Sequence, residues 1–277
     1  MIKLMDLLTE TKGAPKMIIM SGGAGAGKST LLNTLKPVLT GFEIINPDKY
    51  VEDKDSPMFG NLTQASNQVD DKDVPAAIQD KKNFVWDTTA SNAAKMLGGE
   101  YKRKQVPGIL NMGDYDHLMI MVYAHPIVSF LRNFERERKV PKVGVLSTWN
   151  NVYGNIEKYH QKLGDNFILY RAPDAKYEKE IQEFEAAVKA GKLKDYLENL
   201  VESDPEKFAS TFRKTDDADL TPAELEKREK ARAKTKEMLD AQIDRLEKEF
   251  EAISDKVKGM VATEDNIKAK VQSFINS

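Results

Sequence analysis

The sequence predicts an α/β protein, a three-layer sandwich with a mostly parallel central sheet, followed by a helical C-terminal extension. Up to residue 173, short apolar runs alternate with helical patterns, as in parallel sheets that helices cover on both faces. Beyond Pro173 the chain is dense in charge, poor in glycine and helical in pattern. We therefore expect a sheet-containing domain at 16–173 and a helical region at 174–277, preceded by a short docking segment at 1–15.

Five apolar runs predict the strands of the sheet. Each is too short for a typical helix and is bounded by polar or turn-forming residues, as buried strands are. The runs are residues 16–20, 42–45, 84–86, 118–123 and 167–170.

Composition narrows the class of protein. The 277 residues include no cysteine, which excludes a disulfide framework and a thiolate zinc site. The formal net charge of −2 gives no overall attraction to nucleic acid, so any such binding needs a local basic patch. No run approaches the roughly 20 apolar residues that span a bilayer. We expect a cytoplasmic protein without a membrane partner.

A glycine-rich segment follows the first predicted strand and precedes a helical pattern. Residues 22–29 match G-x-x-x-x-G-K-[ST] in full. In such a loop, backbone N–H groups bind phosphates, the lysine reaches the β and γ oxygens, and the serine hydroxyl holds Mg²⁺. This loop predicts a P-loop sandwich that binds ATP and Mg²⁺, with Ser29 as a metal ligand. The expected nucleotide-binding residues are Gly22, Gly23, Ala24, Gly25, Ala26, Gly27, Lys28, Ser29 and Thr30.

A carboxylate follows the second predicted strand, in the sequence Asn46-Pro47-Asp48. Ligands of open α/β sheets bind at the carboxyl ends of strands, and phosphoryl transfer to an alcohol needs a base for the acceptor hydroxyl. Asp48 is therefore the candidate general base. The alternative is that Asp48 caps a turn after Pro47.

A second carboxylate, Asp87, ends the third predicted strand and is followed by Thr88. It is a candidate for holding Mg²⁺ through a bound water or for orienting the acceptor. Alternatively, Asp87 and Thr88 only cap the helix that follows.

Arginines follow the fourth predicted strand. Arg132, Arg136 and Arg138 precede Val140-Pro141, and the first two are predicted to share one helix face. Such a helix suits a lid that neutralises charge on the transferring phosphoryl group, which makes Arg132 and Arg136 candidate catalytic residues. An ordinary charged surface helix is the alternative, because glutamates are interleaved.

The order of these motifs resembles the P-loop kinases that include phage polynucleotide 5′-kinase and the zeta-toxin sugar-nucleotide kinases. The resemblance covers about residues 16–170 and includes the phosphate loop, Asp-x-Tyr, Asp-Thr, and Arg-Asn-x-x-Arg followed by Val-Pro. It implies that Asp48 is the general base and Arg136 the lid arginine, that Asp87 lies near the acceptor, and that Lys28 and Ser29 serve the phosphates and Mg²⁺.

Two features of the sequence bear on how far the resemblance extends. The first concerns the acceptor, and the second concerns a phosphatase activity. Polynucleotide kinases of this group carry an arginine after Asp-x-Tyr, where this chain has Val51. The string Asp217-x-Asp219-x-Thr221 matches a phosphatase nucleophile motif. No apolar strand precedes it, so we interpret it as the start of a helix.

The predicted function is an ATP-dependent kinase that phosphorylates an alcohol on a phosphate-bearing acceptor. A polynucleotide 5′-hydroxyl is the first candidate acceptor, and a sugar nucleotide is the second. A nucleotide-dependent assembly or scaffold protein with little catalysis is the alternative class. The sequence lacks the N-K-x-D guanine signature of a GTPase switch.

A long amphipathic helix is predicted near the end of the chain. Thr221 is its N-cap, Pro222 its first residue, and Glu224 completes a capping box. Its apolar positions step by four and three, as one stripe of a helix does. We expect this stripe to pack on the sheet-containing domain, and self-association with a second chain is the alternative. The stripe comprises Leu239, Ile243, Leu246, Phe250, Ile253, Val257 and Met260.

Overall fold

The fold is an α/β sandwich around one parallel sheet, described by a computed structural model over residues 13–101, 103–209 and 221–277. Most of the predicted 1–15 docking segment lies outside those residues. The strands are β1 (Lys16–Ser21), β2 (Glu43–Ile45), β3 (Phe84–Asp87), β4 (Gly99–Tyr101), β5 (Lys104–Val106), β6 (Asp116–Tyr123), β7 (Phe167–Arg171) and β8 (Val261–Ala262).

The helices follow the strands along the chain and continue through the C-terminal region. They are α1 (Lys28–Leu35), α2 (Asp48–Glu52), α3 (Leu62–Gln68), α4 (Val74–Gln79), α5 (Ala93–Leu97), α6 (Pro126–Phe134), α7 (Lys142–Tyr153), α8 (Ile156–Leu163), α9 (Glu178–Lys189), α10 (Leu193–Ser203), α11 (Pro222–Lys258) and α12 (Glu264–Asn276). None of these helices is long and apolar enough to cross a bilayer.

Six strands pair in the order β2-β3-β1-β6-β7-β8, and every pair is parallel. The five predicted strands are all present. β1 lies in the middle and is buried along its whole length, because strands β3 and β6 flank it and helices cover the sheet. The remaining strands, β4 and β5, form a separate antiparallel hairpin that the sequence did not predict.

Strand β8 was not predicted either. It brings the chain back from the helical region to the sheet, where Val261 pairs with Leu169 and Ala262 with Tyr170. Two residues are too few for any periodicity to reveal a strand. Helix α12 then packs on the core through three side chains that are nearly inaccessible to solvent, Ile267, Val271 and Phe274.

Helix α11 packs within its own chain, as expected. The predicted stripe is buried from Ile243 to Val257, and its polar neighbours bond to α7. Arg245 Nη1 donates to Asn151 Oδ1 at 2.7 Å, and Asn150 donates to the Gln242 carbonyl at 3.0 Å. At the start of α11, the predicted capping box between Thr221 and Glu224 is present.

Residues 48–79 form a small helical cap after β2, which comprises α2, α3 and α4. The cap has a core of its own, made by Val51, Met58 and Ala65. Its first helix begins at Asp48, so the cap places that carboxylate at the edge of the sheet.

Candidate active site

The glycine loop runs from the end of β1 to the start of α1. Gly27 precedes α1 in the left-handed region with a φ of 97°. Gly25 has a φ of 74°, and a Cβ atom there would collide with the Ser129 carbonyl oxygen of α6. Both positions therefore require glycine. The loop is held close to α6, and two of its residues, Gly22 and Ala26, are buried.

A tyrosine of α7 fastens the loop to the sheet. The Tyr153 hydroxyl accepts a hydrogen bond from Gly23 N–H at 3.3 Å and donates one to the Val122 carbonyl at 2.7 Å. Burial raises the pKa of Tyr153, so the hydroxyl keeps the proton that it donates. Nothing in the sequence near the loop indicates this contact, because Tyr153 lies far along the chain.

A cavity of about 220 Å³ lies between the glycine loop and the helical cap. We call it the loop–cap cavity. It brings together most of the residues that the sequence singled out. Those lining it are Gly23, Ala24, Gly25, Gly27, Lys28, Ser29, Asp48, Asp87 and Arg136.

Lys28 lies at the loop end of this cavity. Its ammonium group donates to the Gly22 carbonyl at 2.9 Å and lies 3.9 Å from Asp87 Oδ1. The contact with Asp87 is too long for a strong hydrogen bond. The lysine is therefore held beside the loop by the Gly22 carbonyl, with Asp87 as a more distant charged neighbour.

Asn46 connects the two candidate carboxylates. Its amide nitrogen donates to Asp87 Oδ2 at 2.9 Å, and its oxygen accepts from the Asp48 backbone N–H at 2.7 Å. Asp87 is 5 % exposed. Burial raises its pKa, the Asp48 charge raises it further, and Lys28 and Arg136 act in the opposite direction.

Arg138 forms the closest contact with the candidate base. Its Nη2 donates to Asp48 Oδ1 at 2.6 Å, and its Nη1 is buried and makes no hydrogen bond within the described chain. Spacing along the chain does not distinguish Arg138 from Arg132 and Arg136, because only the fold brings Arg138 to Asp48.

Trp86 is a further residue of the cavity that the sequence did not single out. Its indole Nε1 is buried without a hydrogen-bond acceptor among the described residues, although the side chain lines the loop–cap cavity. In sequence, Trp86 is indistinguishable from an ordinary core residue of β3. A buried N–H donor without a partner is costly, so a bound ligand would stabilise it.

The prediction that one helix carries all three arginines is wrong. Helix α6 ends at Phe134, so Arg136 and Arg138 lie in the following turn, and Arg132 and Arg136 share no helix face. The buried side chain of Asn133 is the reason, because it bonds both Val140 N–H at 3.1 Å and the Val140 carbonyl at 2.9 Å. These two bonds fold the turn back onto the end of α6.

Arg132 points away from the loop–cap cavity. Its guanidinium donates to the Pro173 carbonyl and lies 5.5 Å from the centre of the Tyr177 ring. It lines a second cavity of about 470 Å³, on the side of the loop where β7 ends. We call this the loop–β7 cavity. Thr30 also lines it, so Thr30 and Arg132 are separated from Asp48 and Asp87.

Of the residues that bear on the acceptor and on a second activity, the described ones, Val51 and Thr221, line neither cavity. Val51 is buried in the core of the cap. Asp217 and Asp219 lie outside the described residues, and Thr221 caps α11 as the sequence predicted.

Comparisons with known proteins give a family and several structural likenesses, three of which are described below. The family model described as Zeta toxin matches residues 4–172. No curated protein matches the chain. Among solved structures, the chain is similar to one from the PezAT chromosomal toxin–antitoxin system of Streptococcus pneumoniae, with 14 % identity over 88 % of this chain and 92 % of that one and a TM-score of 0.37.

Two further structures cover less of the molecule. One is a chain of the Pnkp1/Rnl/Hen1 RNA repair complex, with 16 % identity over 54 % of this chain and 48 % of that one and a TM-score of 0.38. The other is a chain of the AvrRxo1-ORF1:-ORF2 complex, with 13 % identity over 57 % and 55 % and a TM-score of 0.44. This chain spans about half the length of those two chains.

The family match covers more than half of the 277 residues and includes the glycine loop, both strand-end carboxylates and the arginine turn. A phosphate loop on a parallel sheet within this match supports a nucleotide-dependent phosphotransferase in general. The chain belongs to the Zeta toxin family.

Proposed function

We propose that this protein is an ATP-dependent kinase that transfers the γ-phosphoryl group to a hydroxyl group of a sugar nucleotide. The observation that carries the proposal is the loop–cap cavity, where the glycine loop, Lys28, Asp48 and Asp87 meet. A phosphate-binding loop beside a carboxylate that can accept a proton is what phosphoryl transfer to an alcohol requires.

Asp48 acts as the general base. Arg138 holds its Oδ1 atom at 2.6 Å, which leaves Oδ2 to take the proton of the acceptor hydroxyl. The acceptor oxygen forms a bond to the γ-phosphorus, the bond between that phosphorus and the β–γ bridging oxygen breaks, and ADP leaves. Asn46 keeps Asp48 in place through the backbone N–H at 2.7 Å.

Positive charge on two sides of the cavity stabilises the transferring group. Lys28 serves the β and γ oxygens, while Arg136 lines the cavity within electrostatic reach of both Asp48 and Asp87. The unpartnered Nη1 of Arg138 is a ready donor for a phosphoryl oxygen. Such preorganised donors are the usual source of rate enhancement in phosphoryl transfer.

Ser29 and Asp87 would hold Mg²⁺ together with the nucleotide phosphates. A hydroxyl and a carboxylate suit this cation, which is commonly bound through one or two side chains and substrate phosphates. Within the described ranges, no three His, Cys, Asp or Glu side chains cluster as metal ligands, so the phosphates would complete the site. Bound Mg²⁺ would supply positive charge that offsets the negative charge of the phosphate groups.

The charge of the cap favours a compact acceptor over a polynucleotide. The arginine that the resembling polynucleotide kinases carry is replaced by the buried Val51. Acidic side chains outnumber basic ones on the cap, so it repels an extended phosphate backbone. Within residues 48–79 the acids are Asp48, Glu52, Asp53, Asp55, Asp70, Asp71 and Asp73, against Lys49, Lys54 and Lys72.

The test is a transfer assay with γ-labelled ATP. Purified protein is offered a panel of sugar nucleotides and, separately, 5′-hydroxyl oligonucleotides of DNA and RNA. We expect label on a sugar nucleotide, ADP in equal amount, and no label on the oligonucleotides. The Asp48→Asn variant should transfer label about 10²-fold or more slower than the wild type.

The other outcomes of this assay contradict the proposal in different ways. Label on the oligonucleotides alone would return the acceptor to a polynucleotide 5′-hydroxyl. ATP binding without transfer to any acceptor would support the assembly or scaffold alternative instead of a kinase.

A further inference from the structure

We propose that the nucleoside part of the nucleotide binds in the loop–β7 cavity and that Glu264, at the start of α12, accepts a hydrogen bond from it. The segment 261–277 is then part of the nucleotide site. This inference deepens the proposed function and rests on it for the direction in which the phosphates lie.

The loop–β7 cavity is the natural continuation of the phosphate site. It shares Gly25, Gly27 and Arg136 with the loop–cap cavity, so a triphosphate on the loop reaches both. Its volume of about 470 Å³ lies in the range of about 300 to 1,000 Å³ of small-molecule sites. With the acceptor end assigned to the side of Asp48, the nucleoside must lie on the side of β7.

The walls of this cavity combine apolar surface with a few polar groups, as nucleoside sites require. Leu31 and Ala172 supply apolar surface, and Tyr170 supplies a ring and a hydroxyl. The charges of Glu264 and Arg132 both act on Tyr170, in opposite directions, while burial raises its pKa. Glu264 and Arg132 line the same cavity as this tyrosine.

Two carboxylates line the cavity, Glu135 and Glu264. Glu135 already accepts from the Tyr177 hydroxyl at 2.8 Å and from Lys176 at 3.1 Å. Among the described residues, Glu264 forms an ion pair with Lys268 at 2.8 Å, and a carboxylate can accept several bonds. Glu264 is thus the acceptor best able to receive a ribose hydroxyl or a base N–H group.

The backbone fixes Glu264 in place. Ala262, two residues earlier, pairs with Tyr170 in the sheet, and Thr263 caps α12. At the other end of α12, Lys16 at the start of β1 donates to the Ser277 hydroxyl at 3.0 Å. The segment is therefore fastened to β7 and to β1, and the whole of it lies beyond the residues matched by the family model.

The experiment measures binding and needs no acceptor. Isothermal titration compares ATP, GTP and inorganic tripolyphosphate, each with Mg²⁺, on the full chain. We expect the wild type to bind ATP or GTP at least tenfold more tightly than tripolyphosphate. Glu264→Ala should weaken the preferred nucleotide about tenfold, as loss of a charged hydrogen bond does, and leave tripolyphosphate unchanged.

The matched control is Asp265→Ala. Asp265 occupies the same first turn of α12 and carries the same charge, but it is exposed and does not line the cavity. This control should bind all three ligands as the wild type does. Glu264→Gln keeps the size of the side chain and provides a second variant if the alanine variant is unstable.

A second readout uses the unaltered protein. Hydrogen exchange in residues 261–277 should slow when ATP or GTP is added and stay unchanged with tripolyphosphate. Equal ATP affinity in Glu264→Ala and wild type, or exchange that nucleotide does not affect, would overturn the inference. A nucleotide effect on this segment without transfer to any acceptor would keep the inference and reject the kinase function.

Discussion

Tyr153 and Gly23 are joined by a hydrogen bond of 3.3 Å between the tyrosine hydroxyl and the backbone N–H of the loop. The same hydroxyl donates to the Val122 carbonyl of β6 at 2.7 Å. One buried side chain of α7 thus sets the distance between the first turn of the loop and the sheet. The geometry of the candidate phosphate site therefore depends on α7, a helix that is far from the glycine loop along the chain.

Removing that hydroxyl should loosen the loop. In Tyr153→Phe, the Val122 carbonyl loses its side-chain donor inside the protein, which costs about 1 to 3 kcal/mol of unfolding free energy, and the affinity for ATP should fall. The control is Tyr159→Phe, whose buried hydroxyl donates to the Ala90 carbonyl at 2.6 Å. It should lose similar stability in urea titrations without losing ATP affinity. Equal ATP affinity in both variants would contradict the role given to Tyr153.

Lys28→Ala tests the phosphate site. The ammonium group contributes charge toward the β and γ oxygens and no core packing, so the variant should lose ATP binding while its fold stays intact. Calorimetric titration with Mg·ATP and circular dichroism are the measurements. Unchanged ATP affinity would refute the assignment of the loop.

Asp48→Asn separates binding from chemistry. The variant should bind Mg·ATP as the wild type does and lose about 10²-fold or more in acceptor phosphorylation, the usual size of a general-base contribution. Asp55→Asn is the control, since Asp55 is an exposed acid of the same cap. If Asp48→Asn were fully active, Asp48 would be a turn cap only.

Asp87 should make the stability of the free protein depend on pH. Its folded pKa is raised above the ordinary 3.8, so its contribution to stability is complete below that value and is lost as the pH rises through the folded pKa. Asparagine does not ionise, so the Asp87→Asn variant avoids this loss of stability at high pH. The variant should therefore melt higher than the wild type at pH 8, and the difference should shrink as the pH falls toward 4. A difference that is constant with pH, or of the opposite sign, would contradict this.

Phe250→Ala tests the intrachain packing of α11. The Phe250 ring lies 5.4 Å from Phe184 and 5.1 Å from His125, so truncation should cost about 3 to 5 kcal/mol. Met238→Ala, on the half-exposed side of the same helix, should change stability by less than about 0.5 kcal/mol. Light scattering should give a monomer for the wild type. A wild-type dimer that Phe250→Ala converts to a stable monomer would favour self-association instead.

The sheet and the loop could be predicted because their signals are local. Each strand is a continuous apolar run, and the loop is a string of adjacent residues between a strand and a helix. Strand β8 and the β4–β5 hairpin were missed, since segments of two or three residues have no measurable period. The domain division at residues 173 and 174 stays a prediction.

The site was harder to predict because part of it exists only after folding. Asp48 and Asp87 were chosen as candidates from their positions at strand ends. Arg138 pairs with Asp48 only because Asn133 ends α6 early, and that bond joins residues seven apart through side-chain chemistry that spacing does not reveal. The role of Trp86 could not be predicted, because a tryptophan in an apolar strand looks like any other core residue in the sequence.

The position of β8 has a consequence for biosynthesis. Because β8 covers the outer edge of β7, that edge has no strand partner until residues 261 and 262 have left the ribosome. The five earlier strands of the sheet are complete about ninety residues before then, a delay of several seconds at ordinary translation rates. During that interval β7 presents unpaired N–H and C=O groups, which are a template for pairing with another nascent chain. Chaperone dependence during synthesis should therefore exceed what the stability of the finished protein suggests.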